Sequence, residues 1–107
     1  LFLCPSIYEP LGIVNLEAMG CETAVLASRV GGIPEVVAHK ETGELVDYTT
    51  DHPQFESDLS AAISSLMADP VLLEKYGKAG RARAQSEFGW DAVAAQTIAL
   101  YKSVITK

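Results

Sequence analysis

Leu1-Phe2-Leu3-Cys4 and Thr23-Ala24-Val25-Leu26-Ala27 are two continuous apolar runs, and Pro5-Ser6-Ile7-Tyr8-Glu9-Pro10-Leu11-Gly12-Ile13-Val14-Asn15-Leu16-Glu17-Ala18-Met19-Gly20 stands between them. Each run is too short for a helix and is edged by turn formers, so both read as buried strands. Pro5-Ser6 breaks the first strand and Ser6 to Pro10 form a loop. Residues from about Leu11 to Gly20 read as a helix. Continuous apolar strands alternating with helices indicate a parallel sheet covered on both faces.

Working outward, Gly31-Gly32 is a loop and Ile33 to Ala38 a short helix with Pro34 near its first turn. His39-Lys40-Glu41-Thr42-Gly43 is a polar turn before a third strand, Glu44-Leu45-Val46. The remainder is helical. Phe55, Leu59, Ala62, Ile63, Leu66 and Met67 make one apolar stripe. Asp69-Pro70 opens a second helix as N-cap and first-turn proline, with Leu72, Leu73, Tyr76 and Ala79 on its apolar side. Gly89 ends it, Asp91 stands near the start of a last helix, and Ala94, Ile98, Tyr101, Val104 and Ile105 form that helix's stripe. The fold class is α/β: three short strands with helices and a helical C-terminal tail, the C-terminal half of a doubly wound, Rossmann-like parallel sheet. A chain that opens inside a strand and carries so small a sheet is expected to be part of a longer one.

Composition narrows the function. The formal net charge of −6 repels nucleic acid and anionic membrane, so neither is an expected partner. Glu9, Glu17, Glu22 and Arg29 interrupt the apolar first third, and no run reaches membrane-spanning length. Cys4 and Cys21 lack metal-ligand spacing. They read as buried free thiols of a reduced, cytoplasmic protein. No cofactor and no metal site is expected.

The chemistry gathers at the first helix. In open parallel sheets ligands sit beyond the carboxyl ends of strands, where loops lead into helix N-termini. Such an end presents unpaired N–H groups and partial positive charge, which suits a phosphate. Gly12 allows close approach to the backbone. Glu17 lies among Ile13, Val14, Leu16, Ala18 and Met19, so it is expected to be buried and to need donors. It stands roughly 8 Å along the helix from Gly12, within reach of a ribose diol when a diphosphate occupies the helix start. Glu9 would lie at the diphosphate's other end, near a sugar. Blander readings stand beside these. Glu9 could only complement the helix dipole, and Glu17 could be solvated or paired with a base. Residue types alone favour the blander reading of each carboxylate; the pair, the glycine and the strand-loop-helix context together bring the two readings level.

Glu9 and Glu17, with seven residues between them in E-P-L-G-I-V-N-L-E-A-M, resemble the E-x7-E signature of the family 4 glycosyltransferases. Val30-Gly31-Gly32-Ile33-Pro34-Glu35-Val36-Val37, Thr42-Gly43-Glu44-Leu45-Val46 and Phe88-Gly89-Trp90 resemble the same family's C-terminal domain in order. The wording around Cys4 to Val25 is most similar to actinobacterial-type glycogen synthases. The resemblance implies a GT-B fold, with residues 1–107 forming the C-terminal part of its nucleotide-sugar binding domain. It implies transfer of glucose from ADP-glucose or UDP-glucose to an alpha-glucan with retained anomeric configuration and no metal. Glu9 would contact the donor sugar near its anomeric centre and serve as the catalytic carboxylate. The amides of Leu11, Gly12 and Ile13 would bind sugar hydroxyls and phosphate, Val14 would pack near ribose or pyrophosphate, and Glu17 would hold the ribose. The family's diphosphate-binding Arg and Lys fall upstream, and its acceptor site lies in an N-terminal domain.

Three alternatives remain: another family 4 enzyme with a different acceptor, a non-catalytic nucleotide-binding fragment, and a GT-B epimerase. His39 and His52 read as exposed loop residues, and Lys75, Lys78, Arg81 and Arg83 as a solvated face shared with Glu74 and Glu87. Trp90 and Tyr101 read as packing residues. The last helix could cross to another domain, leaving its stripe exposed and prone to self-association in the fragment.

Overall fold

Val25, Leu26, Ala27 and Ser28 are wholly withdrawn from solvent, because they form the middle strand of a three-stranded parallel sheet. The computed structural model describes residues 1–105. Strand β1 (Phe2–Cys4) pairs with β2 (Val25–Ser28), Phe2 opposite Val25, and β2 pairs with β3 (Gly43–Val46), Val25 opposite Gly43. The strand order is β1-β2-β3, and a helix follows each strand, as parallel pairing requires.

Alternation along the strands builds two cores. Cys4, Val25, Ala27 and Leu45 face one side, where Met19 of α1 (Ile13–Gly20) and Ile33 and Val36 of α2 (Ile33–Val36) cover them. Ala24, Leu26 and Val46 face the other, under Phe55 and Leu66 of α3 (His52–Met67) and Tyr76 of α4 (Pro70–Phe88). Strand β2 is buried on both faces, which accounts for its continuous apolar run; β1, expected to be buried too, is covered on one face only, since Leu3 is 42% exposed on the other. Helix α4 joins both cores: Leu72, Leu73 and Tyr76 pack in one, Ala84 and Phe88 against the other.

Helix starts obey local chemistry. The carboxylate of Asp51 accepts the Gln54 amide at 3.2 Å, and that of Asp69 accepts the Leu72 amide at 3.1 Å, as N-caps do. Helix α5 (Trp90–Ile105) follows Gly89 and has no buried residue. The molecule measures 52 Å along its longest axis. Trp90 is 88% exposed and Tyr101, Ile98 and Val104 also face solvent, so Trp90 and Tyr101 are not packing residues of this chain. The expected α3 stripe holds except at Met67, which is exposed. Helix α2 ends at Val36 rather than Ala38, since Val37 is already extended. Strand β2 begins two residues later than its apolar run and takes in Ser28.

Candidate functional site

The loop from β1 to α1 rests on the loop that follows β2. Ser28, at the end of β2, donates its hydroxyl to the Ser6 carbonyl and lies 3.5 Å from the Cys4 carbonyl. The Gly32 amide donates to the Glu9 carbonyl at 3.0 Å. Gly31 has φ +52°, and a Cβ there would lie 1.9 Å from the Glu9 carbonyl oxygen. A Cβ on Gly32 would lie 2.2 Å from the Pro10 carbonyl oxygen. Only glycines permit this contact. Sequence reasoning left Gly31 and Gly32 without a firm role; together they form the floor beneath Glu9, Pro10 and Leu11.

Helix α1 starts at Ile13, two residues after its expected start, because Gly12 adopts the left-handed conformation (φ 86°, ψ 49°) as N-cap. No side chain caps this end. The Gly12 carbonyl accepts the Asn15 amide at 2.9 Å. The backbone amides of Leu11, Gly12, Ile13 and Val14 donate to no group among the described residues. Four orphan donors and the positive end of the helix dipole thus share one turn.

Around that turn the side chains are more open than the sequence implied. Ile13 is 59% and Val14 44% exposed. Glu17 is exposed, not buried, because the apolar positions of α1 that enter the core are Met19 with Leu16 and Ala18. The expected desolvation of Glu17 is therefore absent here. Glu9 is half-buried. Neither carboxylate makes a hydrogen bond or ion pair among the described residues. The sequence brings Glu9, Leu11, Gly12, Ile13, Val14 and Glu17 to one helix start, with acceptors before and after a row of donors.

Asn15 was passed over in the sequence. It is fully buried, and both its Nδ2 and its Oδ1 lack a hydrogen-bond partner. Its apolar sequence neighbours, Val14 and Leu16, give no sign of this.

The residues set aside as structural mostly are. Lys78 pairs with Glu74 at 2.9 Å, which holds the exposed Glu74 carboxyl below its ordinary value and Lys78 above its own. Arg83 is not simply solvated. It donates to the Val36 and Glu35 carbonyls at 2.9 and 3.0 Å and pairs with Glu87 at 2.9 Å. His39 is exposed, yet its Nδ1 accepts the Leu45 amide at 2.9 Å. Cys4 is buried as expected, but Cys21 is exposed; both are free thiols. A hollow of about 210 Å³ lies beside the loop, lined by Pro5, Ile7, Tyr48, His52, Phe55 and Glu56, and includes none of residues 9–17. Among the described residues no three His, Cys, Asp or Glu gather as metal ligands. No helix there is long and apolar enough to cross a membrane.

Known proteins are similar to this chain in sequence and fold. A family model described as "Glycosyl transferases group 1" matches residues 1–83. The alpha-maltose-1-phosphate synthase of Mycolicibacterium smegmatis is 56% identical over 105 residues, covering 97% of this chain and 27% of that protein. The glycogen synthase of Mycobacterium tuberculosis is 36% identical over 97 residues, covering 91% of this chain and 22% of that protein. The structure of sucrose-phosphate synthase from Thermosynechococcus elongatus superposes with TM-score 0.80 at 43% identity, over 97% of this chain and 25% of that one. The chain spans about a quarter of the length of these relatives. With the E-x7-E spacing, the parallel sheet and the open helix start in agreement, the chain belongs to the group 1 glycosyl transferases, the family 4 enzymes of GT-B fold.

Proposed function

We propose that this chain is the donor-binding segment, the C-terminal part of the nucleotide-sugar binding domain, of a retaining glucosyltransferase. The observation that carries this reading is the row of orphan amides from Leu11 to Val14, with the unpaired carboxylates of Glu9 before it and Glu17 after it. Amides and the helix dipole complement a diphosphate and stabilise the charge that develops as it leaves. Unpaired carboxylates complement hydroxyl donors. Glu17 faces the ribose and Glu9 the transferred sugar, where it is the catalytic carboxylate beside the anomeric carbon. Val14, exposed on the same turn, packs on the ribose or pyrophosphate. The C1–O bond to the diphosphate breaks, the acceptor hydroxyl oxygen forms its bond to C1 on the same face, and the hydroxyl proton passes to the departing phosphate oxygen. A basic pair for the diphosphate and the acceptor site belong to the rest of the protein.

ADP-glucose is the first donor to test, with UDP-glucose second. Two acceptors are supported unequally. Likeness to alpha-maltose-1-phosphate synthases at 55–56% identity favours glucose 1-phosphate, since adding one glucosyl unit to it gives maltose 1-phosphate. Likeness to glycogen synthase at 36% supports an alpha-glucan end as the second reading. Two free thiols accord with a reduced, cytoplasmic setting.

Calorimetric titration of ADP, ADP-glucose and UDP-glucose into the full-length protein ranks the donors, and radiolabel transfer to glucose 1-phosphate or glycogen ranks the acceptors. Absence of binding by every nucleotide sugar would sink the reading. The isolated chain is expected to show no transfer, because the acceptor site lies elsewhere; turnover by it would overturn that placement.

A further inference from the structure

We propose that Asn15 is the positioning residue of Glu9: its buried, unpaired amide is held in reserve to grip the Glu9 carboxylate when a nucleotide sugar fills the site. This rests on the donor-site reading above.

Asn15 occupies the third position of α1, where a polar side chain commonly reaches back to the N-cap amide. It makes no such bond here. Both amide atoms are shut off from solvent and unpaired, a costly state that few buried side chains show. An apolar residue of the same size would avoid that cost, so a polar group at this position calls for a partner in some other state of the site.

The geometry points to Glu9. The position a Cβ would take on Gly12 lies 2.8 Å from Asn15 Nδ2 and 3.5 Å from Glu9 Cγ. The two side chains therefore face each other across a single position, and Gly12 leaves it empty. Ile33 Cγ1 walls the third side at 3.3 Å. Rotation of the Glu9 side chain brings a carboxylate oxygen toward Nδ2 through the gap, leaving its other oxygen for a sugar hydroxyl. Charge-assisted bonds from an amide to a carboxylate are short and strong, and the burial of Asn15 fixes their direction.

Four variants of the full-length protein test this: Asn15→Leu, Asn15→Asp, Glu9→Ala and the Asn15→Leu/Glu9→Ala double. Melting temperature, ADP affinity by calorimetry and kcat for transfer are measured on each. Asn15→Leu is expected to melt at or above the wild-type temperature, bind ADP within twofold, and lose at least tenfold in kcat. Asn15→Asp keeps the shape but sets acid against acid, so it is expected to lose at least as much; it carries the test if the Leu variant does not fold. In the Glu9→Ala background the Leu substitution is expected to change residual kcat less than twofold. Retention of kcat within twofold in both Asn15 variants, or losses that multiply in the double variant, would overturn the assignment. If wild-type protein binds no nucleoside diphosphate, the donor-site reading fails instead. Intact ADP binding with unaltered kcat sinks the Asn15 role alone.

Discussion

The Gly32 amide donates to the carbonyl of Glu9 at 3.0 Å, so the loop after β2 sets the height of the acid that precedes α1. Gly31 lies so close to the same carbonyl that a side chain there would collide with it. Gly31→Ala must leave the left-handed region or displace Glu9. The backbone preference alone costs about 1–2 kcal/mol. The expected outcome is a lower melting temperature together with a raised donor KM and a reduced kcat. Gly20→Ala has open space at its Cβ and serves as control, with donor kinetics unchanged.

Glu17 offers the cleanest separation of stability from binding. Its side chain is exposed and makes no ion pair among the described residues. Exposed substitutions of this kind shift stability by no more than about 0.5 kcal/mol. If Glu17 holds a ribose, Glu17→Ala weakens nucleotide-sugar affinity tenfold or more, which is about 1.4 kcal/mol, at an unchanged melting temperature. Calorimetry and thermal melts on one preparation check both halves. Unchanged affinity would remove Glu17 from the site.

How much of this could be read beforehand differs from residue to residue. The runs around Cys4 and Leu26 named the strands, but burial on both faces explains only the run around Leu26; in β1 Leu3 faces solvent. Asp69 and Gly89 marked helix ends through chemistry local to a few residues. Glu9, Gly12 and Glu17 were legible as a pattern, but Glu17's environment was not. Neighbours in sequence suggested burial, whereas the helix turns it away from Met19 and the sheet. The contacts of Gly31 with Glu9, of Ser28 with Ser6 and of Arg83 with Val36 join distant segments. No local spacing encodes them. Asn15 could not be found, because its isolation becomes visible only once packing removes every partner.

Arg83 fastens α4 to α2. Its guanidinium serves the Val36 and Glu35 carbonyls at the end of α2, pairs with Glu87 and lies 5.6 Å from the centre of the Phe88 ring. The planar fork meets several acceptors at once, which an ammonium cannot reproduce. Arg83→Lys is therefore expected to recover little of the stability lost in Arg83→Ala, itself about 1–3 kcal/mol. Urea denaturation midpoints of the two variants should fall close together. A Lys variant matching wild type would show that charge, not geometry, holds this corner.

Tyr76 gives the protein an alkaline limit. Its hydroxyl donates to Glu44 Oε2 at 2.9 Å, and Glu44 also approaches Lys40 at 3.8 Å. Burial, then the hydrogen bond to Glu44 and the charges of Glu44 and Asp69, push the Tyr76 phenol up to about 12. An unfolded tyrosine ionises near 10. A folded value above the unfolded one means that the native state holds the proton more tightly. The contribution is complete below about pH 10 and fades as pH rises toward 12. Tyr76→Phe removes the proton and the bond together. It is expected to cost about 1 kcal/mol near neutrality and to flatten the loss of stability between pH 10 and 12. Denaturation midpoints measured at pH 8, 10 and 11.5 check it. A wild-type curve no steeper than that of Tyr76→Phe above pH 10 would place the alkaline limit elsewhere, on other phenols or on the lysines.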